Sequence, residues 1–212
     1  VLGVVAKPAL IQWAANETNR YIRENISYAI PGEDGGLWAV KPSVVEEARY
    51  AHRKKKEDAA EKGTDVHALI ETWVRSLIDG FVADVDYTPI QPFINWARDN
   101  NIHFLETEKR LYSKEHWIAG TCDLVFEKDG KRYVGDIKTY KKIWDRLPLI
   151  QCAGYGMMLT EMGEQVDGYC IINLPKERPF NEVEDVRWSF DVEGDREAFL
   201  AALKLYKTLN NF

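Results

Sequence analysis

The chain has 212 residues, 45% of them hydrophobic, with a formal net charge of −6. That is long enough to bury one sizeable core, and the acidic balance excludes a protein that coats nucleic acid through a global positive field while leaving local basic contact open. No stretch approaches the ~18 apolar residues that cross a bilayer, the first residues lack the basic region of a secretory signal, and the cysteines Cys122, Cys152 and Cys170 have neither disulfide-framework nor metal-site spacing. The expectation is a soluble intracellular protein with reduced, buried thiols and no membrane partner.

In chain order, the pattern predicts a helix over 8–25 with Pro8 at its first position, then a glycine-rich loop at 31–36. A second helix runs from Pro42 through the basic cluster at 52–56 to about 61, where Gly63-Thr64 breaks it and Thr64 caps the next. That next helix carries Val66, Leu69, Ile70, Trp73, Val74, Leu77 and Ile78 at i, i+3, i+4, i+7 spacing, the stripe of a helix packed on a core. A further helix spans 89–100. Three alternating runs, 104–113, 117–127 and 131–139, predict an antiparallel meander. A helix over 148–162 stopped by Gly163, strands near 166–174 and 183–192, and a helix over 194–209 complete the chain. The expected class is α/β (α+β): a central mixed β-sheet flanked by helices, with a helical N-terminal part over about 1–100, in one domain over 1–212.

Asp129-Gly130 between two strand-like runs signals a two-residue type I′ turn. Pairing Lys128 with Lys131 then sets the register, placing Asp123 across from Asp136 and Thr121 across from Lys138. Cys122, Leu124, Phe126, Tyr133, Gly135 and Ile137 fall on the opposite, apolar face. Two carboxylates facing each other across a sheet, with Cβ atoms ~4.5–5.5 Å apart, repel unless something offsets the charge. A divalent cation does so, and oxygen ligands of this kind favour Mg²⁺ or Mn²⁺. Lys138, on the same face, is within reach of a bound water or a phosphate. The competing reading is a solvated surface hairpin.

The segments Gly120-Thr121-Cys122-Asp123 and Gly135-Asp136-Ile137-Lys138-Thr139 resemble the D…(D/E)xK signature of the PD-(D/E)XK nucleases, in the form typical of RecB-type exonucleases. Gly63-Thr64-Asp65-Val66-His67 resembles the upstream histidine motif of that branch, and Gln151-Cys152-Ala153-Gly154-Tyr155 its Q-x-x-x-Y motif. The resemblance covers about 63–155 and implies a restriction-endonuclease-like catalytic core over about 63–192. It implies that Asp123, Asp136, the Ile137 carbonyl and His67 hold one or two Mg²⁺ or Mn²⁺ ions. Lys138 would position or activate the attacking water, and Gln151 and Tyr155 would bind substrate or hydrogen-bond within the site. Read from the helix wheel alone, His67 sits at the edge of the apolar stripe, where a packing histidine is the commoner occupant. Glu71, one turn after His67, Glu108 on the first meander strand and Thr121 are candidates for supporting the ligands, and each is otherwise an ordinary surface polar residue.

Two departures are visible. Cys122 stands where the superfamily's proline would precede Asp123, and the four cysteines of the iron–sulfur relatives are missing, so no iron–sulfur cluster is expected. This points to cluster-free members such as phage recombination exonucleases and the mitochondrial genome-maintenance exonuclease. The implied activity is metal-dependent hydrolysis of DNA phosphodiester bonds by an activated water. The implied partner is DNA, single-stranded or at duplex ends, with a recombination or replication protein as a further candidate. The basic run from Lys138 to Arg146 abuts the proposed site, so Lys141, Lys142 and Trp144 are candidate substrate contacts. Trp13, Tyr21, Trp38 and Tyr140 are further aromatic candidates for base stacking. A structure- or sequence-specific endonuclease on the same fold, an RNA nuclease and a catalytically silent nucleic-acid-binding module remain as alternatives.

Overall fold

The computed structural model describes residues 8–25, 28–30, 37–39, 42–48 and 50–210, with side chains over 14–25, 42–48, 50–51 and 66–210. The predicted glycine-rich loop, the side chains of the 52–56 basic cluster and of Trp13 and Trp38, and the cap expected of Thr64 lie outside these. The chain divides into two compact units, one over 5–62 and the other from 63 onward.

The first unit holds α1 (Pro8–Glu24), a two-stranded antiparallel pair of β1 (Tyr28–Ile30) and β2 (Leu37–Ala39), and α2 (Pro42–Ala48). Within it Tyr21 donates its hydroxyl hydrogen to Glu47. Helix α3 (Ala51–Asp79) begins in this unit and runs without interruption through Gly63-Thr64, where the sequence predicts a break. One interior glycine costs only about 1 kcal/mol relative to alanine, which a 29-residue helix with a packed end tolerates. The apolar stripe is buried at Ile70 and Val74, but its last turn, Leu77 and Ile78, is exposed.

The second unit is built on a five-stranded sheet in chain order: β3 (His103–Ser113), β4 (Ile118–Lys128), β5 (Lys131–Lys138), β6 (Gly168–Asn173) and β7 (Val186–Ser189). All neighbours are antiparallel except β5 and β6, which run parallel and are joined through α5 (Leu147–Glu161). The sheet is therefore mixed and open, as expected. Ile70 and Val74 of α3, with Phe93 and Trp96 of α4 (Gln91–Asp99), share one buried cluster with Leu124 and Phe126. On the other face Val125 and Val134 pack with Cys152, Ala153 and Met157 of α5 and Phe199 of α7 (Val192–Leu209). All three cysteines are free and buried. Strand β7 is shorter than the predicted 183–192. Residues Glu182–Asp185 form a helical turn, α6, because the Asn181 side chain accepts the Val183 N–H at 3.1 Å and caps it.

The β4–β5 turn has the expected chemistry: Asp129 and Gly130 both take positive φ, 53° and 72°, as a type I′ turn demands. The predicted register holds for five pairs, from Lys128↔Lys131 to Leu124↔Gly135. It stops there. The next pair, Asp123 with Asp136, is not part of the ladder.

Candidate functional site

The strands part where the ladder ends. The Asp123 carboxylate takes the hydrogen bond a ladder partner would have taken, accepting the Ile137 N–H through Oδ2 at 2.7 Å. Regular alternation also lapses on β4: Cys122 and Val125 face the α5 cluster while Leu124 faces the α3–α4 cluster. The prediction that Cys122 shares a face with Leu124 and Phe126 is therefore corrected. Opposite this point Glu108 of β3 has φ 50°, a left-handed conformation uncommon for a non-glycine residue, while pairing resumes on both sides at Thr107↔Leu124 and Lys109↔Cys122.

From α3, His67 reaches the same point. Its Nε2 lies 2.9 Å from the Ile137 carbonyl oxygen and 3.6 Å from Asp123 Oδ2. Three of the four predicted ligands thus meet at the end of β5, from positions 70 and 14 residues apart in the chain. Asp136 lies beside them, only 2% exposed, and its Oδ2 forms an ion pair with the Lys138 ammonium. Burial and, secondarily, the charge on Asp123 push the Asp136 carboxyl up to about 6, against the opposing pull of Lys138. Burial alone would lower the Lys138 ammonium, but the Asp136 carboxylate outweighs it and the pKa is raised. Lys138 is therefore a cation and a hydrogen-bond donor here, not a free base.

Glu108 and Glu71 belong to the same electrostatic neighbourhood. The Glu108 carboxyl is raised by burial, then by Asp123 and Glu71, with His67 and Arg75 opposing. Glu71 is paired with Arg75 at 2.9 Å along the helix. On the α5 side, Gln151 Nε2 donates to Tyr155 Oη at 2.7 Å. The Tyr155 ring covers Gly120 so closely that a Cβ there would stand 2.9 Å from its Cε1. Burial, with Asp136 and Asp123 adding, raises the Tyr155 phenol to about 12 although the Gln151 hydrogen bond opposes this, so it stays neutral. Thr121 is exposed and paired in the ladder with Arg110.

The donor set of imidazole nitrogen, two carboxylates and a main-chain carbonyl suits Mn²⁺ or Mg²⁺, and a buried carboxylate with a raised pKa is one that a cation would favour in its charged form. His67, Asp123 and Asp136 do not, however, close to a single ligand spacing, and Asp136 Oδ2 pairs with Lys138. Among the described residues the one group of three such ligand atoms within 4.8 Å of one another is Glu115, His116 and Glu161, near the β3–β4 turn and the end of α5. Nothing in the sequence singles that group out.

The basic run after β5 leaves the sheet as a loop. Lys141 is 3.8 Å from Glu177, Lys142 lies over the Trp144 ring at 5.0 Å, and Trp144 is 81% exposed. What sequence reasoning missed is the polar anchor beneath it. Asn173, fully buried, accepts the Tyr140 N–H at 2.8 Å and donates to the Tyr140 carbonyl at 3.0 Å and to Asp185 at 2.9 Å. Arg178 closes the network with a two-pronged pair to Asp185 at 2.8 and 2.6 Å. Burial would raise the Asp185 carboxyl, but bonds from Arg178, Asn173 and the Asn181 N–H outweigh it and hold it below the ordinary value. No motif signals this; a lone asparagine closing a buried strand is the one trace of it in the sequence.

No family model and no curated protein matches the chain. Among solved structures, one described as "Crystal structure of SSO0001" is similar at 14% identity over 92% of this chain and 86% of that one, with a TM-score of 0.31, too loose a likeness to place fold or function. No helix among the described residues is long and apolar enough to cross a membrane.

Proposed function

We propose that the chain is a metal-dependent deoxyribonuclease of the PD-(D/E)XK kind, RecB-type, acting as an exonuclease on DNA in recombination, repair or replication. The observation that carries this reading is the meeting of His67, Asp123 and the Ile137 carbonyl at the point where β4 and β5 part, with Asp136 and Lys138 beside them.

A bound Mg²⁺ or Mn²⁺ would supply Lewis acidity and an acidified water. The chain's own residues do the rest. Asp123 and Asp136 hold negative charge for the ion, and the Ile137 N–H bond fixes the orientation of Asp123. Lys138, charged and half-buried, would hold a phosphate oxygen or the attacking water. Gln151 and Tyr155 line the neighbouring wall as neutral donors and acceptors.

The test is a time course on end-labelled linear single- and double-stranded DNA and on closed circles, with Mg²⁺, Mn²⁺ or EDTA. Metal-dependent shortening of linear DNA that spares circles and falls at least ~100-fold in Lys138→Ala is expected. Equal cutting of circles turns the reading to an endonuclease; no cleavage of any DNA with either metal overturns it.

A further inference from the structure

The segment from Tyr140 to Arg146 is a loop, yet it is fastened at four places, through the backbone at Tyr140 and Lys141 and through the side chains of Ile143 and Arg146. Tyr140 is bracketed by Asn173 through both its N–H and its carbonyl. Ile143 is buried, 8% exposed, in the cluster beneath α5. Arg146 bonds Asp195 at 2.7 Å and Ser189 at 3.3 Å, tying the end of the loop to α7 and β7. Arg178, itself held by Asp185, adds a bond to the Lys141 carbonyl at 3.3 Å.

Between these fastenings Lys142 and Trp144 stand out in solvent, with Lys141 and Asp145 also exposed beside them. Trp144 is 81% exposed beside buried Ile143, and the Lys142 ammonium lies 5.0 Å from its ring centroid. A large indole kept in water on an otherwise anchored backbone forgoes the burial that aromatic side chains ordinarily gain. Its chemistry is that of a stacking platform: a broad aromatic ring with a cation over one of its two faces, on a chain whose net charge is acidic. Lys142 and Trp144 stand four and six residues after Lys138, so neither can lie farther than about 20 Å of extended chain from that lysine.

We infer that Lys142 and Trp144 form a preformed stacking platform for an unpaired nucleotide next to the site of cleavage, so that the substrate is a single strand or a frayed end rather than an intact duplex. This rests on the nuclease reading for its place beside the cleavage site. Preorganisation matters because the loop need not be ordered on binding, so the stacking energy is not spent on fixing the backbone.

The experiment measures binding of fluorescein-labelled dT12, U12 and a blunt 12-base-pair duplex by anisotropy in EDTA. Wild type is compared with Trp144→Ala, Trp144→Phe and Trp117→Ala, the last being another highly exposed tryptophan, 89%, on the β3–β4 turn. Trp144→Ala is expected to weaken dT12 about tenfold, which is about 1.4 kcal/mol, with Trp144→Phe restoring most of it and Trp117→Ala matching wild type. Duplex affinity should hold within about twofold. Unchanged dT12 binding in Trp144→Ala, an equal loss on duplex, or no strand binding by wild type overturns the platform. A Trp144-dependent preference for U12 over dT12 overturns its assignment to DNA. Cleavage of linear DNA without a Trp144 effect overturns the platform alone, and Trp144-dependent strand binding without cleavage in either metal overturns the nuclease reading alone.

Discussion

Asp123 accepts the backbone N–H of Ile137 at 2.7 Å, so one side chain both ends the β4–β5 ladder and faces His67. Asparagine at this position keeps an oxygen for that N–H but loses the charge. Asp123→Asn is expected to melt within about 1 kcal/mol of wild type while metal-dependent cleavage falls at least ~100-fold. Asp123→Ala also strands the N–H and costs a further ~1–3 kcal/mol. Calorimetric melts alongside cleavage rates separate the two roles; equal activity in Asp123→Asn and wild type would show that the charge is not used.

The Asp136 carboxyl sits at about 6, above its unfolded value. A group held more strongly protonated in the folded state contributes stability that is complete below the unfolded pKa and is lost as pH rises through the folded one, here between about 4 and 6. Asp136→Asn cannot titrate. Its melting temperature without metal, relative to wild type, should therefore shift in the variant's favour as pH rises from 4 to 7. A difference that stays flat across that range contradicts the assignment.

The same chemistry predicts metal linkage. Adding Mn²⁺ at about 100 times its dissociation constant should stabilise wild type by about 2.7 kcal/mol. His67→Ala should need at least about tenfold more Mn²⁺ for the same shift. Titration calorimetry with His67→Ala and Asp136→Asn reads this directly, and identical Mn²⁺ curves for His67→Ala and wild type would remove the imidazole from the ligand set.

Gly120 leaves room for the Tyr155 ring, 2.9 Å from where a Cβ would stand. Gly120→Ala forces the ring and its bond to Gln151 to shift. Cleavage is expected to fall about tenfold with little change in secondary structure, because a displacement of about 1 Å near reacting groups is costly. Tyr155→Phe, which keeps the ring and removes the hydroxyl, tells packing from hydrogen bonding.

Much of the site is legible in the sequence because it is local. The Asp129-Gly130 turn sets a register that holds over five pairs, and that alone brings Asp123 near Asp136. The end of the ladder was not legible: it depends on a side chain replacing a main-chain partner and on Glu108 at φ 50°, neither of which periodicity encodes. The break that Gly63 suggests is absent from α3 because local propensity is a weak prior beside cooperative helix extension and tertiary packing. Asp185 and Arg178 were invisible for another reason, since a buried polar network joins residues whose individual types are ordinary.

That network yields a further prediction. Asp185 is fully buried and its carboxyl is held low, so its contribution is present above the unfolded carboxylate pKa and is lost as pH falls through the folded one. Asp185→Ala removes the two-pronged partner of Arg178 and leaves the buried Asn173 amide one bond short, and is expected to cost about 2–3 kcal/mol at pH 7, with the deficit narrowing in acid below about pH 4. Denaturant titrations at both pH values check it.

The two aspartates come from one hairpin, while His67 reaches them from 70 residues before Ile137. Loop closure between Asp123 and Asp136 is short and entropically cheap, so the hairpin alone keeps the two carboxylates close in the chain. The imidazole is delivered only when α3 docks. On the nuclease reading, an ion that requires the imidazole could therefore be held only by molecules whose α3 is in place.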